Sequence, residues 1–214
     1  MAVVGIVPAA GRGERLGSDG PKAFVACAGR PLVEWSLDVL EAVCDRVVLA
    51  VPSDWEEGPD RVHGGAVRSA SVRAALAAAP EAEIAVVHDA ARPLVTRDLA
   101  ERCIAAVRDE LWDGAIAAAP MTDTVKEATE DGRVVGTLDR SVLWRIQTPQ
   151  VFRGDVLRRA LDVPDEILAA ATDDASLVEG VGGAVRVVEA SPDNFKVTTS
   201  LDLELAEELL QRRP

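Results

Sequence analysis

Residues 3–7 form an apolar run, Val3-Val4-Gly5-Ile6-Val7, which passes directly into Pro8-Ala9-Ala10-Gly11-Arg12-Gly13-Glu14-Arg15 and then Pro21-Lys22. A short apolar run of this kind suits a strand buried on both faces, as in a parallel sheet covered by helices on either side. The glycines and alanines after it let backbone N–H groups approach an anion, and Arg12, Arg15 and Lys22 add positive charge. The chain is therefore expected to fold around a sheet whose first strand ends at a phosphate-bearing ligand.

The remaining pattern extends that expectation. Pro31 opens a predicted helix from Leu32 to Val43, Arg46–Val51 reads as a strand, and Pro52 to Asp60 as a loop. A helix over Ser69–Ala79 stops at Pro80, a strand covers Glu83–His88, Thr96 caps a helix to about Leu111, and Gly114–Ala119 is a fourth strand. Strands alternating with helices predict an α/β fold with a doubly wound, mainly parallel sheet and ligands beyond the strands' carboxyl ends. The candidate chemistry falls there: the glycine loop, His88-Asp89, and Pro120-Met121-Thr122-Asp123-Thr124.

The alternation then breaks. Thr124 to Glu130 and Arg133 to Leu138 read as a polar hairpin about Asp131-Gly132, projecting from a single domain over residues 1–214 as an arm within 122–150. Such an arm buries little alone, so it is expected to pack on a second copy and make a homodimer. Leu201 to Leu210 reads as an amphipathic packing helix.

Composition narrows the partners. With 48% hydrophobic residues the chain is not a disordered one. A net charge of −13 without a basic run argues against nucleic acid. No apolar run approaches the ~20 residues of a membrane span, and the first residues lack a signal-peptide layout, so a cytoplasmic protein is expected. Cys27, Cys44 and Cys103 read as reduced thiols. An acidic protein that binds phosphates must gather its cations locally. Its three lysines, Lys22, Lys126 and Lys196, each lie in a recognisable motif.

Two familiar nucleotide loops fail against the first motif. Leu16 stands where a dinucleotide loop wants Gly or Ala, and the Gly-Lys-Ser/Thr ending of a Walker A loop is missing. The Ala-Ala-Gly-x-Gly-x-Arg…Pro-Lys pattern resembles the signature loop of nucleotidyltransferases. Further blocks follow: Gly64-Gly65-Ala66-Val67-Arg68-Ser69-Ala70-Ser71-Val72, Val87-His88-Asp89-Ala90-Ala91-Arg92-Pro93, Asp123-Thr124-Val125-Lys126, Gln147-Thr148-Pro149-Gln150-Val151-Phe152, Thr172-Asp173-Asp174-Ala175-Ser176 and Asp193-Asn194-Phe195-Lys196-Val197-Thr198. Together, and in this order, they resemble the 2-C-methyl-D-erythritol 4-phosphate cytidylyltransferase family of the non-mevalonate isoprenoid pathway.

The resemblance implies a Rossmann-like nucleotidyltransferase fold and a reaction of CTP with methylerythritol phosphate, with Mg²⁺ held mainly by the CTP phosphates. It implies that Arg15, Lys22 and Lys196 are catalytic, and that Pro8, Ala9, Ala10, Gly11, Gly13, Gly65, Ser71 and Asp89 bind the nucleotide. Asp89, Arg92, Thr124, Arg140, Thr148 and Lys196 would bind the second substrate, with Arg140 and Thr148 reaching it from the partner subunit. The chain departs from the family pattern at Ala23, where many members carry Gln, and at Ala66, where an acidic residue is frequent. No protein metal site is expected. His88 is expected to be structural and His63 exposed. A ribitol phosphate cytidylyltransferase shares almost the same blocks and stays open as an alternative, as does a nucleotide-binding regulatory module; an oxidoreductase fits least.

Overall fold

The computed structural model describes residues 1–11, 20–109 and 111–213. In chain order its elements are β1 (Val3–Pro8), β2 (Ala26–Cys27), β3 (Arg30–Pro31), α1 (Leu32–Glu41), β4 (Arg46–Val51), β5 (Arg61–His63), α2 (Arg68–Ala77), β6 (Ile84–Val87), α3 (Arg97–Arg108) and β7 (Gly114–Pro120). Then come β8 (Lys126–Ala128), β9 (Val134–Thr137), β10 (Trp144–Arg153), α4 (Gly154–Leu161), α5 (Asp165–Ala170), α6 (Asp174–Gly180), β11 (Val185–Glu189) and α7 (Ser200–Gln211).

Among the described residues, seven strands form one sheet in the order β11-β7-β10-β6-β1-β4-β5. All neighbours run parallel except β10, which is antiparallel to both β6 and β7. The expected mainly parallel sheet is therefore present, with one reversed strand inserted. Alternation along β1 shows why it is apolar throughout. Val3 and Val7 pack under α1 and α3 with Val33, Leu40, Leu99 and Ile104. Val4 and Ile6 face the opposite layer of α2, α4, α5 and α6, against Val72, Leu76, Leu157 and Val178. A strand sandwiched between two helical layers has no solvent face, so its sequence carries no polar alternation.

The chain leaves β1 for β4 and β5 on one side, then returns to lay β6 on the other. Reversal of strand order at β1 opens a crevice above the carboxyl ends of β1, β4 and β6, the usual ligand position of an open α/β sheet. α7 lies away from that crevice, packing Ala206 and Leu210 against Cys27, Leu32 and Val197. Its start is fixed by a capping box between Thr199 and Asp202.

Several details differ from the sequence reading. α1 ends at Glu41 and α3 at Arg108, each earlier than the apolar pattern predicts. β10 was not legible as a sheet strand because Pro149 lies within it. Its pairing with β7 shifts between Ile146 and Gln150, and Pro149 occupies that irregular stretch, where a ladder N–H is not required. Thus Trp144–Arg153 belongs to the central sheet and the projecting hairpin is narrower than 122–150. It consists of β8 and β9 around Gly132, whose φ of 83° is the left-handed conformation a tight turn demands. Val134, Val135, Leu138 and Val142 are exposed on and beside it. His63 is partly rather than fully exposed, with Nε2 donating to the Trp55 carbonyl at 2.8 Å.

Candidate active site

A cleft of about 1210 Å³ opens at the crevice. Every parallel strand on that side of the sheet contributes to it. After β1 come Ala9, Ala10 and Gly11; after β4, Pro52 to Asp54; after β5, Gly64 to Val67; after β6, Asp89 to Ala91. Pro8, Lys22, Arg68, Ser71 and Lys196 add to its walls. The floor is built from small residues by necessity. A Cβ on Gly64 would lie 2.5 Å from the Ala10 Cβ and 2.8 Å from the Ser71 Oγ. Ser71 in turn accepts the Gly65 N–H at 3.1 Å, tying the start of α2 to the glycine pair.

Asp89 organises the cations. Its Oδ1 accepts from Arg68 Nε at 2.8 Å, its Oδ2 lies 2.8 Å from Lys196 Nζ, and Arg92 Nε stands 3.6 Å from Oδ2. Burial alone would raise this carboxyl, but Arg68, Lys196 and Arg92 together hold it well below the usual carboxylate range. Asp89 therefore stays ionised. Burial would likewise lower Arg68, yet Asp89 and Asp174 push it further above its ordinary value. For Arg92 burial prevails, and its affinity for the proton is reduced despite Asp89.

Lys196 reaches the cleft through a loop stitched to two other segments. Asn194 Nδ2 donates to Gln147 Oε1 at 2.7 Å and to the Thr148 carbonyl at 2.9 Å. Gln147 Nε2 donates to the Ser191 carbonyl at 3.1 Å, Arg92 Nη1 to the Asn194 carbonyl at 2.8 Å, and Val197 N to the Ala91 carbonyl at 2.8 Å. Lys22 arrives from a 3-10 turn, Lys22–Phe24, with its own N–H on the Gly11 carbonyl at 3.2 Å.

Of the residues picked from the sequence, Pro8, Ala9, Ala10, Gly11, Lys22, Gly65, Ser71, Asp89 and Lys196 thus line one cleft. Arg15 and Gly13 lie outside the described residues. Arg92 sits behind Asp89, largely buried. Thr148 is on β10, buried beneath Asp89 with its hydroxyl bonded to the Asp89 N–H, and not on the arm as expected. Its place follows from β10 belonging to the central sheet. Thr124 and Arg140 stand exposed at the root of the arm, outside the cleft lining, and Arg140 Nη1 donates to the Thr122 carbonyl at 2.6 Å. His88 is fully buried at the end of β6 and does not line the cleft. Arg68 and Asp174 were not singled out. The available signal was an Arg opening a helix, separated from a glycine pair by two residues, and two adjacent Asp residues of which only the first is needed as a cap.

Comparison with known proteins agrees with this arrangement. The family model described as IspD: 2-C-methyl-D-erythritol 4-phosphate cytidylyltransferase matches residues 3–212. The Nocardia farcinica 2-C-methyl-D-erythritol 4-phosphate cytidylyltransferase is 47% identical over 226 residues, covering 99% of this chain and 95% of that protein. The crystal structure of the Thermus thermophilus enzyme of the same name superposes with a TM-score of 0.81 at 34% identity, covering 99% of this chain and 100% of that one. The Francisella tularensis enzyme gives 0.82 at 32%, covering 97% and 99%. The chain belongs to the IspD family of cytidylyltransferases, and it makes 4-diphosphocytidyl-2-C-methyl-D-erythritol and pyrophosphate from CTP and 2-C-methyl-D-erythritol 4-phosphate.

Proposed function

We propose that CTP lies in the cleft with its base among Ala9, Ala10, Gly65 and Ser71, its ribose near Asp89, and its triphosphate against Pro8, Gly11, Gly13, Arg15 and Lys22. Lys196 then faces the α-phosphate and the phosphate of methylerythritol phosphate. An oxygen of that phosphate attacks the α-phosphorus in line; the new P–O bond forms as the bond to the β-phosphate oxygen breaks, and pyrophosphate leaves toward Lys22 and Arg15. The nucleophile is anionic near neutral pH because its second pKa is about 6. No general base is needed, and the protein's work is positioning and charge neutralisation.

The supporting observation is that Lys22 and Lys196, from opposite ends of the chain, line the same cleft, Lys196 being held 2.8 Å from Asp89. Among the described residues no group of three or more His, Cys, Asp or Glu side chains is placed to hold a metal ion. Asp89 is already committed to three cations. These residues do not fit a resident metal, so Mg²⁺ is read as part of the substrate, carried on the CTP phosphates.

Arg92 supports the polyol phosphate from within the chain. Thr148 serves the same end through the Asp89 loop. Arg140 is read as reaching the substrate from a second copy, through a homodimer made by the arm with its exposed Val134, Val135 and Leu138, and Thr124 as facing the methylerythritol phosphate. Each chain is read as one domain, 1–214, that supplies the cleft, with the partner's arm completing the site. Three free thiols, Cys27, Cys44 and Cys103, accord with a cytoplasmic enzyme, and among the described residues no helix is long and apolar enough to cross a membrane.

Pyrophosphate release from Mg·CTP and methylerythritol phosphate tests the site. Lys22→Ala and Lys196→Ala are each expected to lower turnover by about a hundred- to a thousand-fold while circular dichroism shows a folded chain. Retained turnover in either variant removes that lysine from the mechanism.

A further inference from the structure

Arg68 opens α2 at the cleft wall, and its guanidinium spans two carboxylates. Nε donates to Asp89 Oδ1 at 2.8 Å, and Nη1 donates to Asp174 Oδ2 at 2.6 Å. The Asp174 side chain is 0% exposed, and among the described residues its Oδ1 has no hydrogen-bond partner. Stability alone does not account for such a group. A buried ion pair commonly breaks even with, or loses to, an apolar replacement, and an unpartnered carboxylate oxygen adds a desolvation cost. Burial accordingly raises the Asp174 carboxyl despite Arg68.

The rest of Asp174's surroundings make it a rigid anchor. Asp173 caps α6 by accepting the Ser176 N–H at 2.9 Å, and it also accepts from Gln150 Nε2 at 2.9 Å. Gln150 Oε1 takes the Ala175 N–H at 3.3 Å, so the start of α6 is pinned to β10 from two sides. A continuous polar chain therefore runs from Asp174 through Arg68 and Asp89 to Lys196.

The geometry points to Arg68 and Asp174 as positioning residues for cytidylyl transfer: Asp174 fixes one end of the Arg68 fork, Arg68 orients the Asp89 carboxylate, and Asp89 presents the Lys196 ammonium to the phosphates. The inference rests on the reading of Lys196 as a catalytic cation. A planar guanidinium can bridge two carboxylates at a set angle, whereas an ammonium cannot. Without that bridge, Asp89 is free to turn and to draw Lys196 down onto itself, away from the substrate.

The test measures kcat and KM for both substrates in Asp174→Asn, Arg68→Lys, Asp89→Asn and the Asp174→Asn/Asp89→Asn double variant, with thermal midpoints on the same preparations. Asp174→Asn is nearly isosteric, and its thermal midpoint reports whether loss of the buried pair with Arg68 leaves the chain folded. Its kcat/KM is expected to fall about ten- to a hundred-fold, chiefly in kcat. Arg68→Lys keeps the charge but not the fork and carries a comparable loss, which also serves if Asp174→Asn does not fold. The double variant is expected to match Asp89→Asn alone within about two-fold, since Asp174 acts through Asp89. Losses that multiply, or wild-type turnover in both Asp174→Asn and Arg68→Lys, overturn the inference. If Lys196→Ala keeps its turnover in the same assay, the parent reading fails as well. If Lys196→Ala is inactive while those two variants are unaffected, only the positioning role fails.

Discussion

The Thr148 hydroxyl lies between the Asp89 amide and the His88 ring, 3.0 Å from each. The proton positions follow from chemistry. His88 Nε2 stands 3.3 Å from the Arg92 carbonyl, which can only accept, so Nε2 carries the hydrogen. Nδ1 then accepts from the Thr148 O–H, whose oxygen accepts the Asp89 N–H. One directed chain locks the turn that carries both Asp89 and Arg92. Thr148→Val deletes it and leaves a buried N–H unpaired, at a cost of about 1–3 kcal/mol. Thr148→Ser keeps the chain and is expected to recover most of both stability and kcat. A urea titration and an activity assay of the two variants check this; equal behaviour of Val and Ser removes the lock.

His88 makes stability depend on pH. Burial pushes the ring down to about 4 from 6.5, with Asp89 partly offsetting it. The unfolded chain takes up this proton at its ordinary value, while the folded chain resists it. Stability from this group is therefore complete above about pH 6.5 and declines as pH falls toward 4, by up to about 3 kcal/mol. Asp89, held below the usual carboxylate range, loses its contribution only at lower pH. His88→Gln is expected to flatten the urea midpoint between pH 6.5 and 4 relative to wild type. An unchanged slope would assign the dependence elsewhere.

The arm reading predicts complementation. Arg140→Ala and Lys196→Ala each spoil every site of their own homodimer. In a mixed dimer, one site combines an intact Lys196 with an intact Arg140 from the other chain. Co-refolding equal amounts is expected to recover about one quarter of wild-type activity if exchange is statistical. Recovery of nothing beyond the sum of the two variants would place Arg140 outside the partner's site.

Gly64 tests the base niche. A Cβ there meets Ala10 and Ser71 at distances no real Cβ adopts, 2.5 and 2.8 Å. Gly64→Ala is expected to raise KM for CTP by about ten-fold or more, with a smaller change in KM for methylerythritol phosphate. Equal changes in both would indicate general distortion of the cleft instead.

Much of the architecture was legible because its causes are local. Val3–Val7 is apolar on both faces because the strand is central, and Thr96 caps α3 through its own hydroxyl and the Leu99 N–H. β10 was not legible. Pro149 argues against an inner strand unless the pairing is known to slip between Ile146 and Gln150, and that slip is a property of two strands together. Thr148 was misplaced on the arm for the same reason. Arg68 and Asp174, separated by 106 positions, give no periodic or motif signal of their partnership.

Glycine placement and apolar period, both set by short-range sterics and solvation, determined a mainly parallel α/β sheet whose first strand runs into a glycine-rich segment, and the order of the motif blocks determined the family. Tertiary structure alone decided which cations share Asp89, that Thr148 lies under it, and that Asp174 stands behind Arg68. The energy of a buried charge depends on which groups surround it at a few ångströms, and distant segments are brought to that range only by the folded chain.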